Sequence, residues 1–154
     1  MYNIVKITDY ILNRVLTNSK DVTPVKIQQL LYYCQMKHLA LMNRPLFGDD
    51  IEAWIDGPMI RSVYLRFLAV SKYSSIELES IKFNLPELEQ QQKQIIDEII
   101  NHYIDLSDVL VQLKIQSELP YQEARVTLKE FEKGSTIISL NGMKTFYRDL
   151  MTDS

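Results

Sequence analysis

TPVKIQQLLYYCQMKHLALMNRPLFGDDIEAWIDGPMIRSVY, running from Thr23 to Tyr64, is the stretch on which the fold turns. Thr23 followed by Pro24 supplies a capping hydroxyl and then a residue whose fixed φ suits the first helical position. Ile27, Leu30, Leu31, Cys34 and Leu41 recur behind that start at helical spacing, so one long helix with a single apolar face is expected. Tyr32 and Tyr33 lie about 100° apart on such a helix, so only one of them can share the core stripe fully. Asn43 to Pro58 holds two prolines and two glycines among its acidic residues and reads as a loop, with a short strand at Ile51 to Ile55 and Pro58 ending whatever precedes it. Val63, Tyr64, Phe67 and Leu68 regain helical spacing, which predicts a third helix that fades in the serines of Ser71 to Ser75.

The flanks read more simply. Ile4, Ile7, Ile11 and Val15, widened by Tyr10 and Leu12, predict an amphipathic first helix ending near Thr17 to Asp21. Partial alternation from Ile76 to Leu85 predicts a strand, so a short two-stranded β element is expected between residues 51–55 and 80–84. Ile95, Ile96, Ile99, Ile100, Tyr103 and Ile104 mark another amphipathic helix, with Glu89 to Gln94 as its exposed first turns. Ser107 caps a shorter helix through Val109, Leu110 and Leu113. Glu118, Leu119 and Pro120 open one that carries Ala124, Leu128 and Phe131 to a stop at Gly134. Asn141 caps a last helix over Met143 to Met151, with Met143, Phe146, Tyr147 and Leu150 inward. The expected architecture is mainly α: a single compact domain over residues 1–154 with six to seven helices and one short β element.

Composition restricts the function classes. With 46% apolar and 24% charged residues, the chain has ordinary globular proportions. Cys34 is the only cysteine, so no internal disulfide is possible, and the N-terminal stretch lacks a signal-like apolar run; a cytoplasmic protein without a membrane span is expected. Residues 1–75 carry nine Lys and Arg against six Asp and Glu, and residues 76–154 carry eight against fourteen, so the halves stand at +3 and −6. Such an asymmetry can orient a partner, while a pI near 5.4 speaks against a general nucleic-acid binder.

No G-x-S-x-G, glycine-rich phosphate loop, H-E-x-x-H or Cys-x-x-Cys is present, and a chain with two histidines and four glycines has few places for general-base or phosphate chemistry. A non-enzymatic role follows. Cys34 and His38 stand four apart on the long helix and could share a metal or a proton, but zinc needs at least three protein ligands; a core pair is the plainer reading, and no metal or cofactor is expected. Asp49, Asp50 and Glu52 read as solvated carboxylates or as a patch for a cation or a basic partner. Trp54, next to Gly57 and Pro58, reads either as an exposed anchor for a partner or as a buried residue pinning the loop. Lys26 and Arg125 either pair with Glu52 or Asp56 or reach a partner; for Arg125 a structural role is favoured, its planar fork suiting loop carbonyls. The outward residues between Gly57 and Arg66 are the better candidates for partner contact.

The same stretch resembles the Panacea antitoxin domain family, also described as GepA-like or SocA-like. The resemblance is carried by Thr23, Pro24, Lys26, Gln28, Leu30, Leu31, Tyr32, Tyr33, Pro45, Leu46, Phe47, Glu52, Ala53, Trp54, Gly57, Pro58 and Tyr64, in the family's order. A second block, Pro120, Tyr121, Ala124 and Arg125, is similar to the family's Pro-Trp-x-x-Ala-Arg motif with tyrosine for tryptophan; Gln116 lies near the usual position of a histidine, and Met59 replaces the usual valine. The resemblance implies an antitoxin that neutralises a genetically linked toxin by direct binding, in a family common in bacteria and prophages, some of whose members present a bound protein to a protease. Under that implication Trp54, Asp56, Gly57, Pro58, Arg61 and Tyr64 are the expected partner contacts, and the remaining motif residues, Thr23 to Phe47, Glu52, Pro120, Tyr121 and Arg125, are expected to hold the fold. Three other readings stay open: a phage-encoded inhibitor of a host defence or host enzyme, a cryptic enzyme using Cys34 and His38, and a repressor of its own promoter.

Overall fold

The computed structural model describes residues 1–153. Its centre is the long helix opened by Thr23 and Pro24. The elements are α1 (Ile4–Leu16), α2 (Pro24–Met42), β1 (Glu52–Trp54), β2 (Gly57–Met59), α3 (Arg61–Arg66), α4 (Gln90–Tyr103), α5 (Asp108–Gln116), α6 (Leu119–Ala124) and α7 (Leu140–Thr152), with a single 3-10 turn at Leu78–Ser80. Thr23 caps α2 by accepting from the Lys26 N–H, and Pro24 stands at the first helical position. Asn43, in the left-handed region at φ 57°, closes the helix.

Most of α2 is buried, because α1, α4, α5, α7 and β2 pack around it. The one-face expectation therefore fails: a helix enclosed on all sides buries residues at every angle. Tyr32 and Tyr33 are both inside, their rings stacked at 5.1 Å, and Tyr33 stacks in turn on Tyr103 at 4.2 Å. Leu41, at the end of the helix, faces solvent instead of continuing the core.

The buried polar residues of α2 tie down the segments around it. Gln35 accepts from the Leu46 N–H at 2.7 Å and donates to the Phe47 carbonyl at 2.8 Å. Gln28 does the same at Ile60, accepting from its N–H at 2.9 Å and donating to its carbonyl at 3.2 Å. Lys26 donates to the Tyr103 carbonyl at 3.1 Å and to the Leu106 carbonyl, with Asp108 at 3.4 Å, and Gln29 donates to the Asp108 carbonyl at 2.9 Å. Buried backbone groups need such partners, and here side chains of one helix replace a β ladder.

The β element is a tight hairpin, not a pairing with residues 80–84. β1 and β2 run antiparallel with Glu52 opposite Met59, Ala53 opposite Pro58 and Trp54 opposite Gly57, joined by Ile55 and Asp56. Closing a two-residue loop costs less chain entropy than joining segments a quarter of a hundred residues apart. The stretch after Ser80 stays out of any ladder; Asn84 donates its N–H to Asp9. The far side of β1 is met by residues 136–138, through Ala53 N–H to Thr136 O at 2.8 Å and Ile138 N–H to Ile51 O at 2.7 Å. Pro58 does not end the strand: its partner Ala53 directs its N–H to Thr136, so the proline's missing donor leaves the hairpin intact. Gly57 takes φ 139°, a conformation that disfavours side chains.

Further boundaries differ from expectation. α6 stops at Ala124 rather than near Gly134, and Phe131 is exposed beyond it; Arg125 reaches across to the hairpin and draws the chain off the helical path. Ser139, not Asn141, caps α7 by accepting from the Gly142 N–H, and Leu150 faces outward. Gln92, in the supposedly exposed first turns of α4, is buried against His38. Ser107 caps α5 as expected, but Val109, Leu110 and Leu113 are exposed while Val111 and Ile115 turn inward.

A groove between the hairpin, α2 and α3

Where the hairpin leans over the start of α2, a groove of about 420 Å³ opens between them and α3. Pro24, Val25, Gln28 and Gln29 form one wall. Trp54, Asp56, Gly57, Pro58 and Met59 form the second, and Val63, Tyr64, Phe67 and Leu68 the third. Five of the six expected partner contacts, Trp54, Asp56, Gly57, Pro58 and Tyr64, thus line one cavity. The sixth, Arg61, sits on its rim, with its guanidinium 5.6 Å above the Trp54 ring.

The rim is tightly connected. Arg61 donates to both oxygens of Glu52, at 2.7 and 3.0 Å, and this pairing raises the guanidinium pKa further. The Trp54 indole N–H donates to the same carboxylate at 3.1 Å, and its ring meets Tyr64 at 5.2 Å, tilted by 60°. Trp54 is half-buried and borders the groove, so it is neither the fully exposed nor the fully buried residue of the two readings made for it. On the other side Lys72 donates to Asp56 at 3.1 Å, a hydrogen bond that raises the lysine pKa. Leu68 in the third wall and Leu65 on α3 are both largely exposed.

The structure leaves one polar loose end there. Gln29 is 2% exposed, one of its two amide N–H groups donates to the Asp108 carbonyl, and its Oε1 is buried, out of reach of solvent, with no hydrogen-bond partner. A buried acceptor without a donor costs about 1–3 kcal/mol. Sequence reading missed this residue, together with Val25, Leu68 and Lys72. A glutamine in the middle of a helical motif carries no signal that it will face a cavity; only the crowding around α2 reveals it.

The remaining motif residues lie elsewhere. Lys26 does not meet Glu52 or Asp56: it points toward the α4–α5 turn, where burial lowers its pKa and Asp108 partly restores it. Thr23 donates its hydroxyl to Asp108 at 2.6 Å. Leu31, Leu46 and Phe47 are in the core and Pro45 borders it. Pro120 is buried within α6. Tyr121 donates its hydroxyl to the Trp54 carbonyl, with the Ile55 carbonyl at 3.3 Å, and Gln116 also reaches Ile55. Arg125 donates to the Ala53 carbonyl at 2.7 Å and to that of Glu132. The second motif block thus supports the hairpin from behind, while the first forms its front.

The other candidate chemistry is not assembled. Cys34 is fully buried, and burial pushes its thiol pKa well up, away from a nucleophilic thiolate. The His38 Nδ1–H donates to the Arg44 carbonyl at 2.7 Å and Nε2 accepts from Gln92 at 3.4 Å, so both ring nitrogens are occupied. Asp49 bonds Ser62 while Glu52 serves Arg61, so the acidic loop does not converge, and among the described residues no three His, Cys, Asp or Glu side chains gather as a metal site. Tyr33 and Glu118 are paired in the interior, with the exposed Lys114 donating to the same carboxylate, and burial raises the Glu118 pKa. No described helix is long and apolar enough to cross a membrane.

Searches of characterised proteins and of solved structures returned no significant match. The family description "Antitoxin SocA-like, Panacea domain" does match, over residues 27–114. That span is more than half the chain and contains the hairpin, α3 and most of the groove, so the chain belongs to the SocA-like Panacea antitoxin domain family.

Proposed function

We propose that this chain is an antitoxin that binds its cognate toxin, encoded nearby, directly, and that the groove between the hairpin, α2 and α3 is the contact face. Membership of an antitoxin family implies a protein partner and a non-enzymatic role. The observation that carries the face is the convergence of Trp54, Asp56, Gly57, Pro58 and Tyr64 on one apolar-walled cavity. Aromatic and arginine side chains around a pocket are the residues that concentrate binding energy at protein interfaces, and Trp54 meets Tyr64 in a tilted pair while Arg61 lies over its ring. Exposed Leu65 and Leu68 widen the apolar area around it.

The test begins with capture of a stoichiometric partner from the native host on the tagged chain. Co-expression then asks whether that partner stops growth alone and is harmless with this chain. Tyr64→Ala should weaken the complex about tenfold or more while the chain stays folded, as expected for an interface aromatic. A toxin still neutralised in full by Tyr64→Ala and Trp54→Ala chains would move the contact face elsewhere. A captured partner that is not toxic would overturn the antitoxin reading itself.

A further inference from the structure

We infer that Tyr121 is a positioning residue of the contact face: from outside the groove, its hydroxyl sets how Trp54 is presented to the toxin. This rests on the groove being the toxin-binding face. Tyr121 stands on α6, is 4% exposed and takes no part in the groove walls. It borders a second cavity, of about 580 Å³, together with Ile55, Gln116 and Arg125. So little of it is exposed that a partner has almost nothing of it to touch.

A hairpin of three residue pairs is marginal by itself, so where its turn sits depends on what holds it from outside. Three consecutive carbonyls are held by side chains from the α5–α6 region. Arg125 donates to that of Ala53 at 2.7 Å, Tyr121 to that of Trp54, and Gln116 to that of Ile55 at 3.4 Å. The Tyr121 oxygen also lies 3.3 Å from the Ile55 carbonyl, but a hydroxyl has one hydrogen and the nearer Trp54 carbonyl takes it. That bond fixes the peptide plane leaving Trp54, and with it the backbone from which the indole projects. The indole's own hydrogen bond and ring contacts, to Glu52, Arg61 and Tyr64, all stay within one segment of the chain. The Tyr121 hydroxyl ties Trp54 to a helix outside that segment. Its ring is held separately, under the Arg125 guanidinium at 5.9 Å, so phenylalanine keeps the packing and loses only the donor. The bond is part-buried beside the second cavity, where water can take the lost donor's place.

Trp54 is the chain's one tryptophan, so indole fluorescence reports on it alone. In Tyr121→Phe, that emission should move to the red and be quenched more strongly by acrylamide, while the urea midpoint moves little. With the toxin captured on the tagged chain, Tyr121→Phe should raise Kd about fivefold, the scale of coupling between residues in contact. In a Trp54→Ala background the same substitution should change Kd by less than about twofold, because no indole is left to present. Unchanged emission and quenching, an equal loss of affinity with and without Trp54, or a Tyr121→Phe chain that does not fold would each overturn the inference. Any of these leaves the groove as the contact face, provided that Trp54→Ala itself weakens the complex. Full neutralisation by both Trp54→Ala and Tyr64→Ala chains removes the contact face, and the inference with it.

Discussion

The loop between α2 and α3 is held differently at its two ends. At the Pro45–Phe47 end, Leu46 and Phe47 are fully buried, Gln35 binds both backbone directions, and the Tyr2 N–H adds a bond to the Leu46 carbonyl at 2.8 Å. At the Glu52–Tyr64 end, the hairpin is secured from behind by Tyr121 and Arg125, while Trp54, Arg61 and Tyr64 are clustered in partial view of solvent. The first end places its polar groups where folding needs them. The second leaves aromatic side chains partly in solvent, where folding gains less from them and where the proposed contact face needs them.

Substitution should separate the two ends. Gln35→Ala leaves the Leu46 N–H and the Phe47 carbonyl buried and unpaired, and should cost about 3 kcal/mol of stability by the usual penalty for two such groups. Against a total of about 5–15 kcal/mol for a typical domain, that is a large shift of the urea midpoint. Toxin affinity, measured well below that midpoint, should be unchanged. A loss under about 1 kcal/mol would mean that apolar packing of Leu46 and Phe47 alone holds that end.

Trp54→Ala should show the opposite balance. Its cost at the interface should be about 2 kcal/mol, roughly a thirtyfold rise in Kd, as for other interface tryptophans. Its urea midpoint should move less than that of Gln35→Ala, since Trp54 is only half-buried. If stability fell further than affinity, Trp54 would be a residue that pins the loop, and the contrast between the two ends would collapse.

The contrast was partly legible in the residues themselves. Thr23-Pro24 and Ser107 announce helix starts through their own chemistry, and both starts are where expected. The hairpin side of the groove was legible because glycine, proline and tryptophan sit together in one motif block. The α2 side was not, because Gln28 and Gln29 look like surface residues on any helix whose neighbours are unknown. The same blindness misplaced Tyr32 and Tyr33: angular spacing assigns faces only when a helix has a solvent side, and most of α2 is enclosed. Residues 80–84 misled for a different reason, since alternation describes a strand but names no partner, and the two-residue turn at Ile55–Asp56 supplied a closer one.

A third site refines the account of the buried end. His38 holds the Arg44 carbonyl, just ahead of Pro45, and burial lowers its pKa from the ordinary 6.5. The folded chain therefore keeps the ring neutral at pH values where the unfolded chain already takes up a proton. The resulting stability is fully present above pH 6.5 and is lost as pH falls below it toward the folded value. Glu118 works in the other direction: its raised pKa lets the folded chain retain a proton above 4.5, so its contribution declines as pH rises. The difference between the unaltered chain and His38→Gln isolates the first effect. Urea midpoints at pH 7.5 and 5.5 should converge in the variant more than in the unaltered chain, and parallel slopes would show that His38 does not couple that end to pH.

The smallest effect belongs to Arg61, and it sharpens the account of the exposed end. Its side chain is 62% exposed and its partner Glu52 is largely covered, so the pair sits at the water boundary of the groove. An exposed guanidinium contributes little to folding, and in Arg61→Gln the carboxamide and the Trp54 N–H can still donate to the covered Glu52, so the urea midpoint should stay nearly where it was. A rim charge acts mainly on encounter, through a field that salt screens. With a toxin of acidic contact surface, association should therefore slow by about threefold at low ionic strength, with the two chains converging as salt is raised and dissociation unchanged. Faster dissociation on the scale of Trp54→Ala would instead show that Arg61 is buried in the complex beside the indole it covers. The energetic centre would then lie on the rim, over Trp54, and not in the cavity beneath it.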